Sequence, residues 1–486
     1  MVRVRGLHRG VIVLAVMVGV SAGCGGGSGG SSGGGSGYGS PMPMPMPMPT
    51  VMFTAPMSAA TINLGQAVQL AWTSTNATSC SATASNMTGS AFPTNPATNG
   101  NATVAPTGSG SLSFTLTCMG AGGSVSATSP MITVNPSILS TLSTAKIKTI
   151  GSTKDPIEHG GNPYGLVMAP ATAGLITVGD LVICNFNDGL HDKQGFGTTI
   201  VGLNPTPGSN PYRIAQSSSL EGCNALTMLP DDSISAAAFS AGSMGMNPLV
   251  TPAGVVNDPF MDGFANPWGE AYAAANGQNP AAIYVSNFDG SIDRIALSND
   301  VQSSFTQIAT GFCTSGSPGL IYAPAGLTYD PSIDTLYIVD TSSNSVVAFD
   351  KVSSIGAAGV VVNGQCKSVT KPPTPALTFT GPSASSARVI AHGSPLIAPI
   401  SAALLSDGNL IVTNGDLDEL DPATQQANLA VEISPVLPGG FVGQPIQLDG
   451  GNPAALFGVV ATVDSQRNEI IYFNDDNDYT LRSITK

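Results

Sequence analysis

Charge is what this sequence has least of. Only 9% of its 486 residues are Asp, Glu, Lys or Arg, against about 25% in ordinary domains. Basic residues are the scarcer sign, 16 against 30 acidic, for a net charge of −14. Three of the 16, Arg3, Arg5 and Arg9, fall in the first 23 residues, which hold no acid; the rest of the chain is 13 against 30, or −17. Nothing here supplies a cationic surface for phosphates, which excludes nucleic acid as a partner. Electrostatic docking on anionic lipid is excluded for the same reason. Aromatics are 6%, and no row of them is available to stack on sugars. Beyond the start of the chain no apolar run reaches the ~20 residues of a membrane helix. The cysteines form no CxxC pair, against a zinc ribbon or a redox motif. The four histidines show no HExxH or related spacing, so no zinc-hydrolase signature is present.

What is present begins with a leader. Arg3, Arg5 and Arg9 precede the apolar run Val11–Val20, and Ser21-Ala22-Gly23-Cys24 follows. A basic start, a short apolar core and small residues before a cut site predict a secretory signal over 1–23. The last four residues resemble the lipobox of bacterial lipoproteins, with Ser21 where that family prefers Leu, Val or Ile. The resemblance implies that Cys24 becomes an acylated N-terminus held in a lipid bilayer. The expected location is the cell envelope, lipid-anchored, at the outer membrane or cell surface.

Residues 24–50 read as a linker. Gly25 to Ser40 is nearly all Gly and Ser, a flexible coil. Proline at every second position from Pro41 to Pro49, alternating with Met, forces an extended and stiffer spacer. Four thioethers in this tract also suit a soft ion such as Cu(I), although Met as filler accounts for them.

Residues 51–135 alternate with period two. Val68-Gln69-Leu70-Ala71-Trp72 and Ser111-Leu112-Ser113-Phe114-Thr115-Leu116-Thr117-Cys118 are the clearest stretches, and Gly, Asn and Pro turns separate them, as in a small sandwich of short strands. The segment from Leu70 to Cys80, with Leu116-Thr117-Cys118, resembles bacterial Ig-like domains. In that family the two cysteines pair, which implies a Cys80–Cys118 bridge. The expected role is a spacer, the alternative a glycan- or protein-binding module.

Residues 142–486 carry an internal repeat. Five apolar runs end in Asn or Asp: Val182 to Asn185, Ile283 to Asn287, Leu336 to Asp340, Leu410 to Asn414 and Ile470 to Asn474. Each follows a proline entry by 15 to 22 residues, at Pro163, Pro267, Pro324, Pro399 and Pro453, which lie 104, 57, 75 and 54 residues apart. The 104 gap holds two units, one degenerate from Cys223 to Ser240, and the 75 gap holds the Pro/Ser-rich insertion 371–386. Six units of three or four strands and no helical pattern predict a β-propeller. The layout resembles six-bladed propellers of the NHL and SMP-30/gluconolactonase type. The expected fold is therefore all-β, a small Ig-like β-sandwich followed by a six-bladed β-propeller. Residues 145–150 are expected to complete the last blade as its outer strand and so remove the open edge. Tyr164 and Trp268, equivalent in two entries, read as core.

Four cysteines of the propeller permit three pairings. Cys313–Cys366 is preferred, since both sit late in neighbouring units; Cys184 and Cys223 pair, or Cys184 is a buried thiol.

The repeated Asn185, Asn287, Asp340, Asn414 and Asn474 are candidate ligand residues on one propeller face. Such a ring of oxygens suits a polar molecule or a hard cation, Ca²⁺ in particular. Turn chemistry is the alternative, since Asn and Asp bond their own backbone. In the lactonase relatives a Glu, an Asn and an Asp hold a metal at the channel mouth; Glu158 is the single Glu near the matching place. Two acidic clusters, 414–421 and 474–478, lack EF-hand spacing. The function expected is non-catalytic binding or scaffolding through one propeller face, for a glycan or protein partner; the alternative is a metal-dependent lactonase-like hydrolase or a lyase.

Overall fold

The computed structural model describes residues 44–85, 92–189, 193–242, 244–258, 260, 263–277, 279–299, 301–317, 320–364, 376–415, 426–437 and 439–486. Cys24, His191, Cys366 and 416–421 of the first acidic cluster lie outside them, as does the leader. Residues 1–46 and 47–486 are two separate compact units. Of the first, the described residues 44–46 have no regular structure and are exposed.

The chain from Pro47 onward is almost entirely β. Nine strands between Thr50 and Asn135 form three small sheets. Their alternation is the one expected: Val68–Thr75 buries Val68, Leu70 and Trp72 and exposes Gln69 and Thr73. The apolar side packs with Phe114, Leu116, Ile132 and Val134 into one core. Cys80 and Cys118 are bonded, with Cα atoms 4.1 Å apart. They are directly opposed on the adjacent antiparallel strands Ser79–Ala84 and Phe114–Gly120, so the bridge lies within one sheet.

Six four-stranded antiparallel units follow, and we number them as blades. The inner strands are Gly161–Met168, Cys223–Met228, Pro267–Ala273, Pro324–Asp330, Pro399–Leu404 and Leu456–Val463 for blades 1 to 6. Each inner strand contacts the next, and the sixth contacts the first, so the ring is closed. The fold class expected from the repeat is therefore the one observed. In blades 1, 3 and 4 the second strands, such as Leu181–Asn187, are buried on both faces. That explains their continuous apolar runs, because each is covered by the blade before and the blade after. Blade 2 looks degenerate in sequence because its two outer strands, Leu249–Val250 and Val256–Asn257, are only two residues long.

Closure is by the outer strand of blade 6. Lys148–Ser152 pairs with Thr480–Thr485, joining the start of the propeller to its end. It begins later than residue 145 because Thr144–Lys146 is a 3-10 turn. Part of the insertion between the third and fourth strands of blade 4 crosses to its neighbour: Val360–Asn363 pairs in parallel with Val301–Thr310 of blade 3.

Two features hold the inner strands together. The first is glycine in the entry motif. A Cβ on Gly269 would stand 1.9 Å from the Ala325 carbonyl oxygen of the next blade, where no side chain fits. At the matching Gly165 the nearest atom, Ala225 Cα, is 3.1 Å away, tight but tolerable. The second is a set of side chains that reach across each junction. Asn224 Nδ2 donates to the Trp268 carbonyl at 3.2 Å. Ser286 Oγ donates to Ala325 at 2.8 Å, Thr341 Oγ1 to Pro399 at 2.7 Å, and Thr413 Oγ1 to Phe457 at 2.9 Å. Asn474 Nδ2 donates to Pro163 at 3.0 Å across the closure. The junction between blades 1 and 2 is crossed by the Cys184–Cys223 disulfide instead, Cα atoms 5.5 Å apart. Cys184 precedes Asn185 as Ser286 precedes Asn287 and Thr413 precedes Asn414, so a covalent bond stands where the other blades use a hydroxyl. Cys313 is also disulfide-bonded.

The N-terminal module docks on blade 5. Asn409 Nδ2 donates to Leu64 O and to Glu432 Oε1, and Leu139 N donates to Glu432 Oε2. Leu437 and Val442 of that blade join the module's own apolar core.

Gly269→Ala is expected to lower stability by about 1–3 kcal/mol, and Gly165→Ala by clearly less; denaturant unfolding of the two variants checks the order. Replacing the pair as Cys184→Ser with Cys223→Ala removes a bridge across a separation of 39 residues, worth about 4 kcal/mol in the chain-entropy model. The fold should survive, because a serine there can donate to the Ala225 carbonyl that Cys184 Sγ faces at 3.9 Å. Circular dichroism and melting of oxidised wild type against the double variant test both points.

Candidate functional site

The inner strands converge on a central cavity of about 360 Å³, lined by all six blades. One end is shut. Tyr164, Trp268 and Phe457 come from strand entries and meet over the axis, Tyr164 stacked on Phe457 at 4.0 Å and edge-on to Trp268 at 5.4 Å. Phe186 and Phe239 pack behind Trp268 at 5.8 and 5.3 Å. Tyr164 and Trp268 are thus core residues, and they are also the floor of a cup. At the other end Val167, Tyr272, Tyr329, Leu404 and Val460 are only partly buried, which marks the mouth.

The exposed lining is mixed, at least as polar as it is apolar, with Thr227, Thr328, Ser401 and three tyrosines among its side chains. Among the described residues Glu270 is its single carboxyl, and no Lys, Arg or His joins it. Glu270 sits two residues past Trp268 on the inner strand of blade 3. Its Oε1 accepts from Ser235 Oγ at 3.0 Å, and that hydroxyl accepts from Asn247 Nδ2 at 3.1 Å. Its Oε2 is buried without a partner. Two more lining residues carry unpaired buried atoms, Asn224 Oδ1 and Trp268 Nε1. Glu270, Asn224 and Trp268 are 6%, 4% and 3% exposed, and these three atoms have almost no accessible surface, so they are enclosed by protein rather than open on the cavity. An unpaired polar atom in such a place costs about 1–3 kcal/mol. Burial pushes the Glu270 carboxyl up to about 8, against smaller opposing effects from Ser235, Asn247 and the Thr227 backbone.

Glu270 is absent from the residues that the sequence singles out, yet a signal was there. Pro163-Tyr164-Gly165-Leu166, Pro267-Trp268-Gly269-Glu270 and Pro324-Ala325-Gly326-Leu327 align, and the acid stands where the repeat has Leu.

The five Asn/Asp exits lie at the floor end, since Pro163 pairs with Asn185, Pro267 with Asn287 and Pro399 with Asn414. All are buried, and none lines the cavity. Asn185 donates to Thr199 Oγ1 at 3.1 Å. Asn287 donates to Ser291 and Asp293, while Asp340 accepts from Ser342 N and Ser343 Oγ. Asn414 donates to Pro395 O at 2.6 Å, and Asn474 clasps blade 1 across the closure. Glu158 lies outside the cavity, near Arg213 at 3.8 Å. The 474–478 cluster surrounds a cation: Arg482 reaches Asp449, Asp475 and Asp478. His392 Nδ1 lies 3.0 Å from Ser345 Oγ, but Ser345 is fully buried and no substrate reaches it. Among the described residues no three His, Cys, Asp or Glu side chains converge as metal ligands.

Glu270 is one of several buried carboxyls held above the ordinary range by desolvation. Asp293 is pushed to about 7, Asp340 to about 6 and Glu432 to about 7. The folded state keeps protons that the unfolded chain has released above about pH 4.5, so this stability is full at low pH and is lost as pH rises through the folded values. Unfolding midpoints should therefore fall between about pH 5 and 8, and Glu270→Gln should flatten the slope. A profile rising with pH over that window would contradict the assignment.

Solved structures match this chain, among them three of low similarity. No family model and no curated protein matches the chain. The solved structures include a quinonprotein alcohol dehydrogenase-like protein from Bacteroides thetaiotaomicron, at 11% identity and TM-score 0.26 over 88% of this chain and 79% of that one. They also include a candidate 6-phosphogluconolactonase from Bacteroides uniformis, at 11% identity and TM-score 0.37 over 76% and 90%. The WD40 repeats of RRP9 match at 10% identity and TM-score 0.39 over 71% and 98%. At these values the propeller assignment rests on the sheet topology of this chain.

Proposed function

We propose that this chain is a lipid-anchored protein of the bacterial cell envelope that binds a small ligand in the blind channel of its propeller, without catalysing a reaction on it. The observation that carries the reading is the cup itself: a central cavity of about 360 Å³ that all six blades line, with an aromatic cluster at one end. Concave, largely pre-formed pockets of this size are where small ligands bind. The disulfides support an oxidising compartment outside the cytoplasm. The leader and Cys24 support anchoring, and the Gly/Ser and Met-Pro linker would hold the folded part away from the bilayer. The N-terminal β module fits a spacer, since it is docked on blade 5 away from the cavity lining.

The catalytic alternative has one observation in its favour, a buried carboxyl poised near neutral pH in a pocket, as general acid–base groups are. Glu270 stands there without a second carboxyl or a histidine among the described lining residues, and the hydroxyls of Thr227, Thr328 and Ser401 have no such base beside them. A lactonase-like metal set of Glu, Asn and Asp has no counterpart among the described lining residues.

Two measurements test the proposal. Metabolic labelling with palmitate should mark the wild type and leave Cys24→Ser unlabelled; equal labelling contradicts the anchor. A thermal-shift screen of small extracellular metabolites against the mature chain should yield a saturable ligand that quenches Trp268 fluorescence, a signal absent in Trp268→Phe. If no small molecule shifts melting, and tagged protein instead retains a partner protein through its outer surface, the channel-binding reading falls and a scaffold role replaces it.

A further inference from the structure

A second cavity, of about 140 Å³, lies between blades 3 and 4, and the charged group in its lining is a cation. Arg294, on the third strand of blade 3, Ile292–Ser298, lines it and is partly exposed. Arg213, Arg388 and Arg482 each reach an aspartate. No carboxylate pairs with Arg294 among the described residues, although acids outnumber bases 30 to 16 in this chain. Its partners are neutral. Nη1 donates to the Ser353 carbonyl at 2.7 Å and to the Val352 carbonyl at 3.3 Å, and the Tyr284 hydroxyl is a further hydrogen-bonding neighbour. A guanidinium carries five N–H groups, so these contacts do not exhaust it. A charge withdrawn from water without a counter-charge is costly.

The rest of the lining narrows what the counter-charge is attached to. Ala273, Ala282, Ala296 and Tyr284 are buried and form an apolar wall. Asn279 donates to Asn276 Oδ1 at 3.0 Å, and both stand in the lining as neutral groups. The acid next to the cavity, Asp334, is not in its lining. That carboxylate accepts from Tyr329 Oη at 3.1 Å, from Ser353 N at 3.4 Å and from Ser353 Oγ at 2.5 Å. A doubly charged anion would thus meet one cation with a carboxylate close behind it, whereas a single negative charge is matched.

We propose that this cavity binds a small aliphatic monocarboxylate, its head on the Arg294 guanidinium and its tail against Ala273, Ala282 and Ala296. The fork of an arginine fits the two oxygens of a carboxylate, and such charge-assisted bonds are the stronger kind. Arg294 is not part of the central channel lining, so this site stands or falls apart from the channel reading.

Butyrate and its uncharged isostere butyramide are the probes, titrated calorimetrically into the purified chain at pH 7 and constant ionic strength. Butyrate is expected to bind saturably and at least about tenfold more tightly than butyramide, and more tightly than sulfate. Arg294→Gln should lose that preference, and Arg294→Lys, which keeps the charge without the fork, should weaken butyrate by a smaller factor. Because Arg294 also holds the Val352–Ser354 turn, a second variant leaves its contacts alone: Ser304→Phe, at an exposed lining position, should obstruct the tail and weaken butyrate about tenfold or more, with melting of the empty protein near wild type. Undiminished butyrate binding in either variant that folds, Arg294→Gln or Ser304→Phe, overturns the proposal. Equal binding of butyrate and butyramide, tighter binding of sulfate, or no binding of butyrate overturns it as well.

Discussion

Everything in this propeller depends on how closely six inner strands can approach one axis. Twisted sheets packed face to face leave their inner edges in near contact there, and inner-strand carbonyls turn toward neighbouring blades where water cannot follow. Each such oxygen must find a donor or cost free energy. The chain meets this with a small residue and a donor at each junction. Gly269 lets the backbone of blade 4 come within reach, and Ser286 Oγ then bonds the very carbonyl, Ala325 O, that a Cβ at Gly269 would strike. Thr341, Thr413, Asn474 and Asn224 repeat the arrangement around the ring. The Cys184–Cys223 bridge replaces it at one junction.

The channel is a consequence of this geometry. Glycines and bulges draw the strand entries inward, so the bulky residues beside them, Tyr164, Trp268 and Phe457, have nowhere to go except over the axis. They close one end. Toward the strand ends the blades diverge and the walls open. A ring built to close itself thus leaves a cup, and Glu270, standing where blades 1 and 4 have Leu, sets a carboxyl beside it. Because the blades pack closely there and exclude water, burial holds the Glu270 carboxyl well above its ordinary range, although Ser235 donates to it.

The repeat was legible in sequence because it is written in backbone terms. Proline entries, apolar second strands and polar exits recur wherever a blade recurs, and residues 145–150 could be assigned to the closing strand because a propeller cannot leave an edge open. The site was less legible. The exits drew notice for being Asn or Asp at every unit, but recurrence of that kind follows the fold: Asn474 clasps the next blade, Asn185 and Asn287 brace their own, and Asn414 holds a turn. A ligand site breaks symmetry, so its marker is the unit that differs. Glu270 differs from Leu166 and Leu327, and that contrast becomes visible only when the entries are aligned as equivalent positions. Cys184 was ambiguous for a related reason: a cysteine in mid-strand reads as a buried thiol until its equivalence to Ser286 and Thr413 shows that its position faces the next blade.

The closeness of the blades shows most directly in Glu270, a carboxyl that burial between blades 2 and 3 pushes up to about 8 although Ser235 donates to it. The direct measurement is the infrared carboxyl stretch of Glu270, isolated as the difference between wild type and Glu270→Gln across the neutral pH range in ligand-free protein. A desolvated, neutral Glu270 gives a protonated acid band that persists at pH 6 and fades near pH 8. An ionised carboxylate already at pH 6 would show that desolvation does not dominate at this junction, and the account of close blade packing would be contradicted there.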